Sequence, residues 1–588
     1  MKLPILNELP TSREFINAFE GYNHNLRISD RSFYDMKNLS SDDYPVLAPR
    51  KKRGIYAAPS NPQGLIAKED LCYVDGSDFV INGYHIDMKS LGLDPDTPKN
   101  LVSMGAYVII LPDKMYINTN DYSDKGKIEA SIEGTDFWSF HLCDNEGKEV
   151  SRAYSEKPEE AEDGDIYIEY DNVDTPIAVY QYYATNAMWS PIKTTVEVRA
   201  YGEELNIFES GDTIFFNGLT ISSLTNLNGI PVTIERKEVN RHGHASIWFE
   251  GICDVGGQEN TGSFTIERKM PNLDFIIESQ NRLWGCRYGV AINGEIVNEI
   301  YASKLGDFKN WQSFAGISTD SWVGGVGTDG PFTGAINYGG YPIFFKENYI
   351  HKVYGNYPAQ YQIKTTMCRG VQQGSEKSLA IVNEILYYKS RHAICSYDGA
   401  LSQEISSMLG DVAYHDAVGG SFGNKYYISM VDDNNEHHLF VCDTARGMWH
   451  KEDNTDVQEF CNCRGSLYFV DNKDKKIKSV LGSDNTEDDS IKWMAESGIW
   501  GTDQPDKKYI SRLDVRMSLN VGTRVIFLIQ YDSSGEWEHL FTMTGTSLRT
   551  FSVPVKPKRC DHLKLRIEGE GEAKIYSICK TIEQGSDM

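Results

Sequence analysis

The sequence predicts an all-β chain: a β-propeller of six to eight blades, with an inserted β-domain region and a C-terminal β-sandwich-like region. Three observations lead there. Apolar or aromatic pairs recur seven times, each followed within about a dozen residues by a polar turn and a second β-rich stretch. They are Cys72-Tyr73, Val108-Ile109, Leu283-Trp284, Ile343-Phe344, Leu386-Tyr387, Tyr426-Tyr427 and Leu467-Tyr468. The last four step by 43, 40 and 41 residues, and a period of about 40 is one propeller blade. Composition agrees, since 34 Tyr and 51 Gly accompany no helix-period pattern beyond short pieces such as Thr11 to Phe19. The competing architecture is an ordinary sandwich or barrel whose hairpins recur by chance.

Residues 1–60 read as an extended, strand-poor leader in which Pro45 and Pro49 fix the path. It ends in the basic cluster Arg50, Lys51, Lys52 and Arg53, which in an acidic protein reads either as a solvated loop or as a docking point for an acidic partner. Residues 61–119 hold the first blades. There Leu71 to Val74 and Phe79 to Ile81 flank Asp75-Gly76, whose glycine supplies the positive φ of a tight turn. The rhythm then stops. Residues 120–272 are read as inserted β-domains, because Thr195 to Arg199 and Val232 to Arg236 alternate apolar and polar as half-buried strands do. The acidic run Glu156 to Asp163 reads as an exposed loop of this insertion.

Residues 273–484 resume the blades, interrupted by Val323 to Gly330, where Gly324, Gly325, Gly327 and Gly330 suggest a flexible loop at a blade edge. No Lys and helix follow, as a phosphate-cradling loop requires. In residues 485–588, Leu513, Val515 and Met517 alternate with polar neighbours, as do Leu563, Leu565 and Ile567. Such two-faced strands suit a small sandwich, or closure of the propeller together with the N-terminal part.

At 588 residues with 40% hydrophobic and 12% aromatic content, the chain has ample material for burial. Eleven scattered Cys, an odd number, point to synthesis in a reducing cytoplasm, and the lone pair Cys461-Asn462-Cys463 lacks a second pair at zinc spacing. No apolar run is long enough to span a membrane, and Met1 to Glu8 turns polar too early for a secretory signal. Acidic residues number 84 against 58 basic ones, a net charge of −26 that repels nucleic acid.

A search for chemistry singles out no catalytic, cofactor-binding or metal-binding residue. Sialidase-like turns would repeat Ser-x-Asp-x-Gly-x-Thr-Trp, and Ser318-Thr319-Asp320-Ser321-Trp322 lacks the glycine and does not recur. No Gly-x-Ser-x-Gly elbow precedes a helix. His242 with His244, and His437 with His438, offer two ligands without a placed third. Asp432 to Glu436 imitates a calcium loop but suits a hairpin turn. Among 84 acidic residues, carboxylate pairings are too many to choose between. Tyr338, Tyr341, Phe344, Phe345, Tyr349 and Tyr354 could line a sugar-binding face, although alternation sends about half of them into a blade core.

Asn281-Arg282-Leu283-Trp284-Gly285-Cys286, followed by Asn298-Glu299-Ile300-Tyr301-Ala302-Ser303-Lys304-Leu305-Gly306-Asp307-Phe308-Lys309-Asn310-Trp311, resembles a phrase of tailed-bacteriophage virion proteins. Phe33 to Leu39 with Tyr44 to Arg50 looks like the opening of the same proteins. The resemblance is to the tail nozzle, tail-hub or stabilisation proteins of short-tailed phages. It implies a propeller with inserted β-domains that forms a homo-oligomeric ring, a hexamer, in the virion tail after assembly in the host cytoplasm. Genomic DNA would pass through its lumen in transit, and the tail adaptor and fibre or other tail proteins would be its partners. It implies no enzyme activity and no cofactor. The negative charge then suggests an acidic lumen along which DNA slides. Two rivals stand beside this reading. One is a tail-associated glycan-binding protein or polysaccharide depolymerase, the other a monomeric non-viral adhesin or scaffold propeller.

Overall fold

The computed structural model describes residues 11–134, 138–171, 175–200, 202–291, 294–482, 490–502, 507–545 and 547–584. Among them the chain is all-β, its only helical pieces being 3-10 segments of three to six residues. Seven four-stranded antiparallel sheets dominate. The first six span residues 62–87, 100–127, 275–325, 334–367, 380–404 and 414–453, each a simple meander. The seventh takes three strands from 457–479 and its fourth, Gly54–Ala57, from near the N-terminus.

Every one of the seven apolar pairs lies on the second strand of one of these sheets. Successive side chains of a strand point to opposite faces, so a pair stays apolar only where both faces are covered. That is the situation here. Cys72 packs with Val108 of the second sheet, while Tyr73 packs with Val470 and Ile477 of the seventh. Leu283 faces the second sheet and Trp284 the fourth. Leu386 shares a core with Phe345 of the fourth sheet, and Tyr387 shares one with Tyr426 and Ile428 of the sixth. Tyr427 and Leu467 meet in the core between the sixth and seventh sheets. The first strands follow the same order: Pro62–Ala67 touches Asn100–Met104, which touches Phe275–Ser279, which touches Gly334–Tyr338. Val457–Cys463 touches Pro62–Ala67 in turn. The arrangement is propeller-like.

The insertion between the second and third sheets has its own core, in which Phe140, Phe216, Phe249 and Phe264 meet edge to face or tilted. Its strands form an eight-stranded sheet, with a separate three-stranded sheet of Ile166–Tyr170, Pro176–Tyr183 and Met188–Pro191 beside it. The stretches read as strands from alternation, Thr195–Arg199 and Pro231–Val239, are strands.

The C-terminal region comprises a four-stranded and a six-stranded sheet around one core, with Leu513, Val515 and Met517 from one and Phe527, Leu565 and Ile567 from the other. Two expectations change here. Thr11–Ile16, within the piece read with helical period, is a strand whose exposure alternates, and it pairs with Ala573–Gln584. The leader as a whole is not strand-poor: Ser32–Lys37 pairs with Lys492–Ser497, and Gly54–Ala57 completes the seventh sheet, a place that no strand beyond residue 485 takes. These three strands are four to six residues long and each has a partner hundreds of residues away, so no local period marks them.

Two enclosed histidines predict how stability depends on pH. Burial lowers His351 to about 4 with Lys346 adding to the effect, and burial likewise lowers His450 to about 4 beside Lys425. Because the folded values lie below the ordinary 6.5, the unfolded chain takes up protons first as pH falls. Stability is therefore complete above that value and drains away down to about 4, by on the order of 2–3 kcal/mol per histidine. Urea titrations at neutral and mildly acidic pH check this, and the doubly substituted His351→Gln, His450→Gln chain should show a flatter profile.

Candidate functional site

Where first strands of the sheets converge, they line an open cavity of about 610 Å³ that is bordered by Lys99, Glu278, Asn337, Glu376, Lys377 and Glu459 among others. A carboxylate reaches this place when a first strand carries one acidic residue on its inward row. Glu459 does so on Val457–Cys463, and Glu278 on Phe275–Ser279. Glu459 accepts the Leu65 amide at 3.2 Å and lies 3.6 Å from the Lys377 ammonium. Burial nonetheless outweighs these partners and pushes its carboxyl above the ordinary glutamate range. A carboxyl raised in this way keeps its proton to higher pH than an ordinary glutamate, the direction that a general acid requires. On the cavity wall Lys99 is fully enclosed, 2.6 Å from Asp113.

None of these residues was singled out from sequence. One signal existed: a lone acid in a blade's first strand, visible once the blades are registered against one another.

The phage-like phrase is structural. Gln280 and Asn281 have φ of 54° and 59° and form the two-residue turn between Phe275–Ser279 and Arg282–Val290, the conformation such hairpins need. Arg282, 1% exposed, donates to the carbonyls of Ser303, Asp320 and Ser318 at 2.7, 2.5 and 2.9 Å, and so holds the loop between the third and fourth strands of its sheet. Trp311 lies in the core between the second and third sheets. Asn310 reaches into the insertion, accepting the Thr213 amide at 2.7 Å and donating to Asp212 at 3.1 Å. Asp212 is in turn paired with the buried Arg268 at 2.5 Å.

The basic cluster does not present itself to a partner as a unit. Arg53 turns inward, with its two terminal nitrogens each 2.8 Å from Glu452 and Asp453, and Arg50 donates to Asn38 at 2.8 Å. Both guanidiniums are buried, which corrects the docking expectation for them; only Lys51 is exposed and Lys52 half-buried. A fork of donors matches two carboxylates of the sixth sheet, and so staples the leader to it.

The glycine stretch is likewise not a loose loop. Gly324 and Gly325 belong to the edge strand Trp322–Gly325, paired with Ile300 and Glu299. The following residues are tied down by Asn298, which donates to the carbonyls of Val326 and Thr328, and by Lys346, which donates to Thr328 at 2.7 Å. A side chain at Gly324 would collide with the Trp322 ring, and Gly330 has φ of 86°. Steric need and turn geometry, rather than mobility, account for these two glycines.

Asp432 to Glu436 forms the hairpin turn expected of it, between Lys425–Asp432 and His437–Asp443. Asp432, Glu436 and His438 offer ligand atoms within 4.8 Å of one another, so the histidine pair contributes one member to a group of three, while His437 faces Asp456 at 3.4 Å. Burial pushes the Asp432 carboxyl up, but His438 and the amides of Glu436 and Asn434 bring it down to about 2, and these bonds already use both of its oxygens. Of the six aromatics considered for a sugar face, Tyr338, Phe344 and Phe345 are buried in cores and Tyr341, Tyr349 and Tyr354 are half-buried.

No family model and no curated protein matches the chain. Among solved structures it matches an exo-β-1,3-galactanase from Phanerochaete chrysosporium, crystallised with galactose, at 8% identity and a TM-score of 0.21, over 52% of this chain and 94% of that one. It also matches an engineered GH43 glycoside hydrolase with endo-xylanase and exo-arabinofuranosidase activity, at 7% identity and a TM-score of 0.20, over 53% of this chain and 97% of that one. At these scores no residue is transferred from them. They do correct one expectation: the structures matched are glycoside hydrolases, and the sequence-based exclusion of enzyme activity is withdrawn.

Proposed function

We propose that the chain is a ring-forming structural subunit of a bacteriophage tail, a nozzle or hub, whose own fold is a seven-bladed propeller sealed by Gly54–Ala57. One observation carries the reading: the residues of the phage-like phrase, Arg282, Asn310 and Trp311, are the buried ties that hold the inserted region and its loop on the third sheet. A phrase devoted to architecture suits a protein whose work is done through contacts between subunits. In this reading identical head-to-tail interfaces close a homo-oligomeric ring, a hexamer, whose acidic lumen lets DNA pass without gripping its phosphates. Tail adaptor and fibre proteins are its partners and the virion tail its location. Light scattering and negative-stain imaging of the purified protein test this. A ring with a central hole is the expected result; a chain that stays monomeric at every concentration overturns it.

A second reading is favoured by Glu459. A carboxyl raised by burial in a cavity that also presents Glu278 and Glu376 has the elements of a polysaccharide-cleaving site, one acid to protonate the leaving oxygen and one carboxylate to stabilise or attack the sugar. Here the protein releases reducing ends from a host surface polysaccharide, and Glu459→Gln abolishes the release while leaving the fold intact. No reducing ends from any surface polysaccharide of a host that the phage infects would dispose of this alternative.

A further inference from the structure

The three-stranded sheet of the insertion has two unlike faces. Ile168 and Val179 point into the insertion core, so alternation turns Tyr167, Glu169, Tyr180 and Tyr182 to the other side, joined there by Trp189 through its pairing with Tyr182. The rings form a continuous half-buried row. Tyr167 stacks on Tyr180 at 4.8 Å with the planes 5° apart, Trp189 stands edge-on to Tyr167 at 4.9 Å, and Tyr182 lies 5.4 Å from Trp189. The exposed Glu169 carboxylate sits among them, accepting the Tyr180 hydroxyl at 3.0 Å.

The segment that carries this row is strongly acidic in sequence. Residues 151–192 contain nine carboxylates and two basic side chains. One of those two lies on a neighbouring ring: Arg152 is over Tyr154 at 5.0 Å, and Tyr154 is bridged to Tyr167 at the edge of the same sheet. Ring faces attract cations, and neighbouring carboxylates strengthen that attraction while repelling anions.

We propose that this aromatic face, carried on an acidic segment with Glu169 among its rings, docks an arginine- or lysine-bearing segment of a partner protein, with cationic side chains over Tyr167, Tyr180 and Trp189 and Glu169 as their counter-ion. The inference depends on neither functional reading above. Among polypeptide partners, charge complementarity selects a basic one; a neutral glycan's hydroxyls can donate to Glu169 but gain nothing from the net charge.

Fluorescence anisotropy of labelled hexa-arginine with the full-length protein tests it. Saturable binding is expected, with hexa-glutamate failing to bind. Trp189→Ala should weaken hexa-arginine about tenfold, Trp189→Phe should restore most of the loss, and Asp433→Asn, on an exposed turn of the sixth sheet, should change nothing. Circular dichroism confirms that each variant is folded. Binding that is indifferent to Trp189→Ala would reduce the face to general acidity and overturn the proposal. So would a neutral oligosaccharide that displaces hexa-arginine and itself depends on Trp189.

Discussion

Arg282→Ala is expected to lower stability by about 3–5 kcal/mol. The guanidinium is the shared donor for the carbonyls of Ser303, Ser318 and Asp320, and its removal deprives buried acceptors of partners at about 1–3 kcal/mol each. The Asp320 side chain cannot take over, because a carboxylate only accepts, as it does here from the amides of Gly316 and Ile317 at 2.6 and 2.9 Å. Arg282→Lys should recover only part of the loss, since an ammonium lacks the planar fork that serves several carbonyls together. Urea denaturation gives the magnitude and hydrogen exchange across residues 303–320 gives the place. An unchanged midpoint would mean that the loop is held by something else.

The second large effect is expected at the joint between the insertion and the third sheet. Arg268→Ala leaves Asp212 buried without its cation, a change that costs about 3–5 kcal/mol for enclosed pairs. The loss should be local. Arg268 also donates to the carbonyl of Ile128 at 2.9 Å, and Asp212 is the group that Asn310 holds from the third sheet, so both ends of the insertion loosen together. Thermal unfolding followed by tryptophan fluorescence should split into two steps, and limited proteolysis should cut between residues 120 and 272 before the rest of the chain. Adding Asp212→Leu should restore part of the stability by removing the stranded charge. A single transition at the parent temperature would contradict this view of the joint.

Much of the fold was legible because blades repeat one physical demand. Each second strand has neighbours on both faces, so Leu283 and Trp284 or Tyr426 and Tyr427 must both be apolar, and adjacent apolar residues remain visible without knowing the partner. The leader was not legible for the opposite reason. Gly54–Ala57 satisfies its hydrogen bonds with Ile477–Ser479, and Thr11–Ile16 does so with Ala573–Gln584, so what makes each segment a strand lies elsewhere in the chain. Charge misled in the same way. Arg50 and Arg53 look solvent-bound in a basic run, yet Glu452 and Asp453, four hundred residues on, draw Arg53 inward and Arg50 follows. The carboxylates of the cavity were hidden by number, as Glu459 differs from the other acids only in where its strand begins.

The provenance of Gly54–Ala57 also bears on biosynthesis. This strand leaves the ribosome first, but its partner is made about 420 residues later, a wait of roughly 20–80 s at ordinary elongation rates. Throughout that interval the nascent chain carries an unmated edge, and Tyr73 lacks the Val470 and Ile477 that will cover it. Two unfinished copies on one polysome can therefore exchange these strands, so a swapped dimer is the characteristic error of crowded expression, and slower, colder production should suppress it.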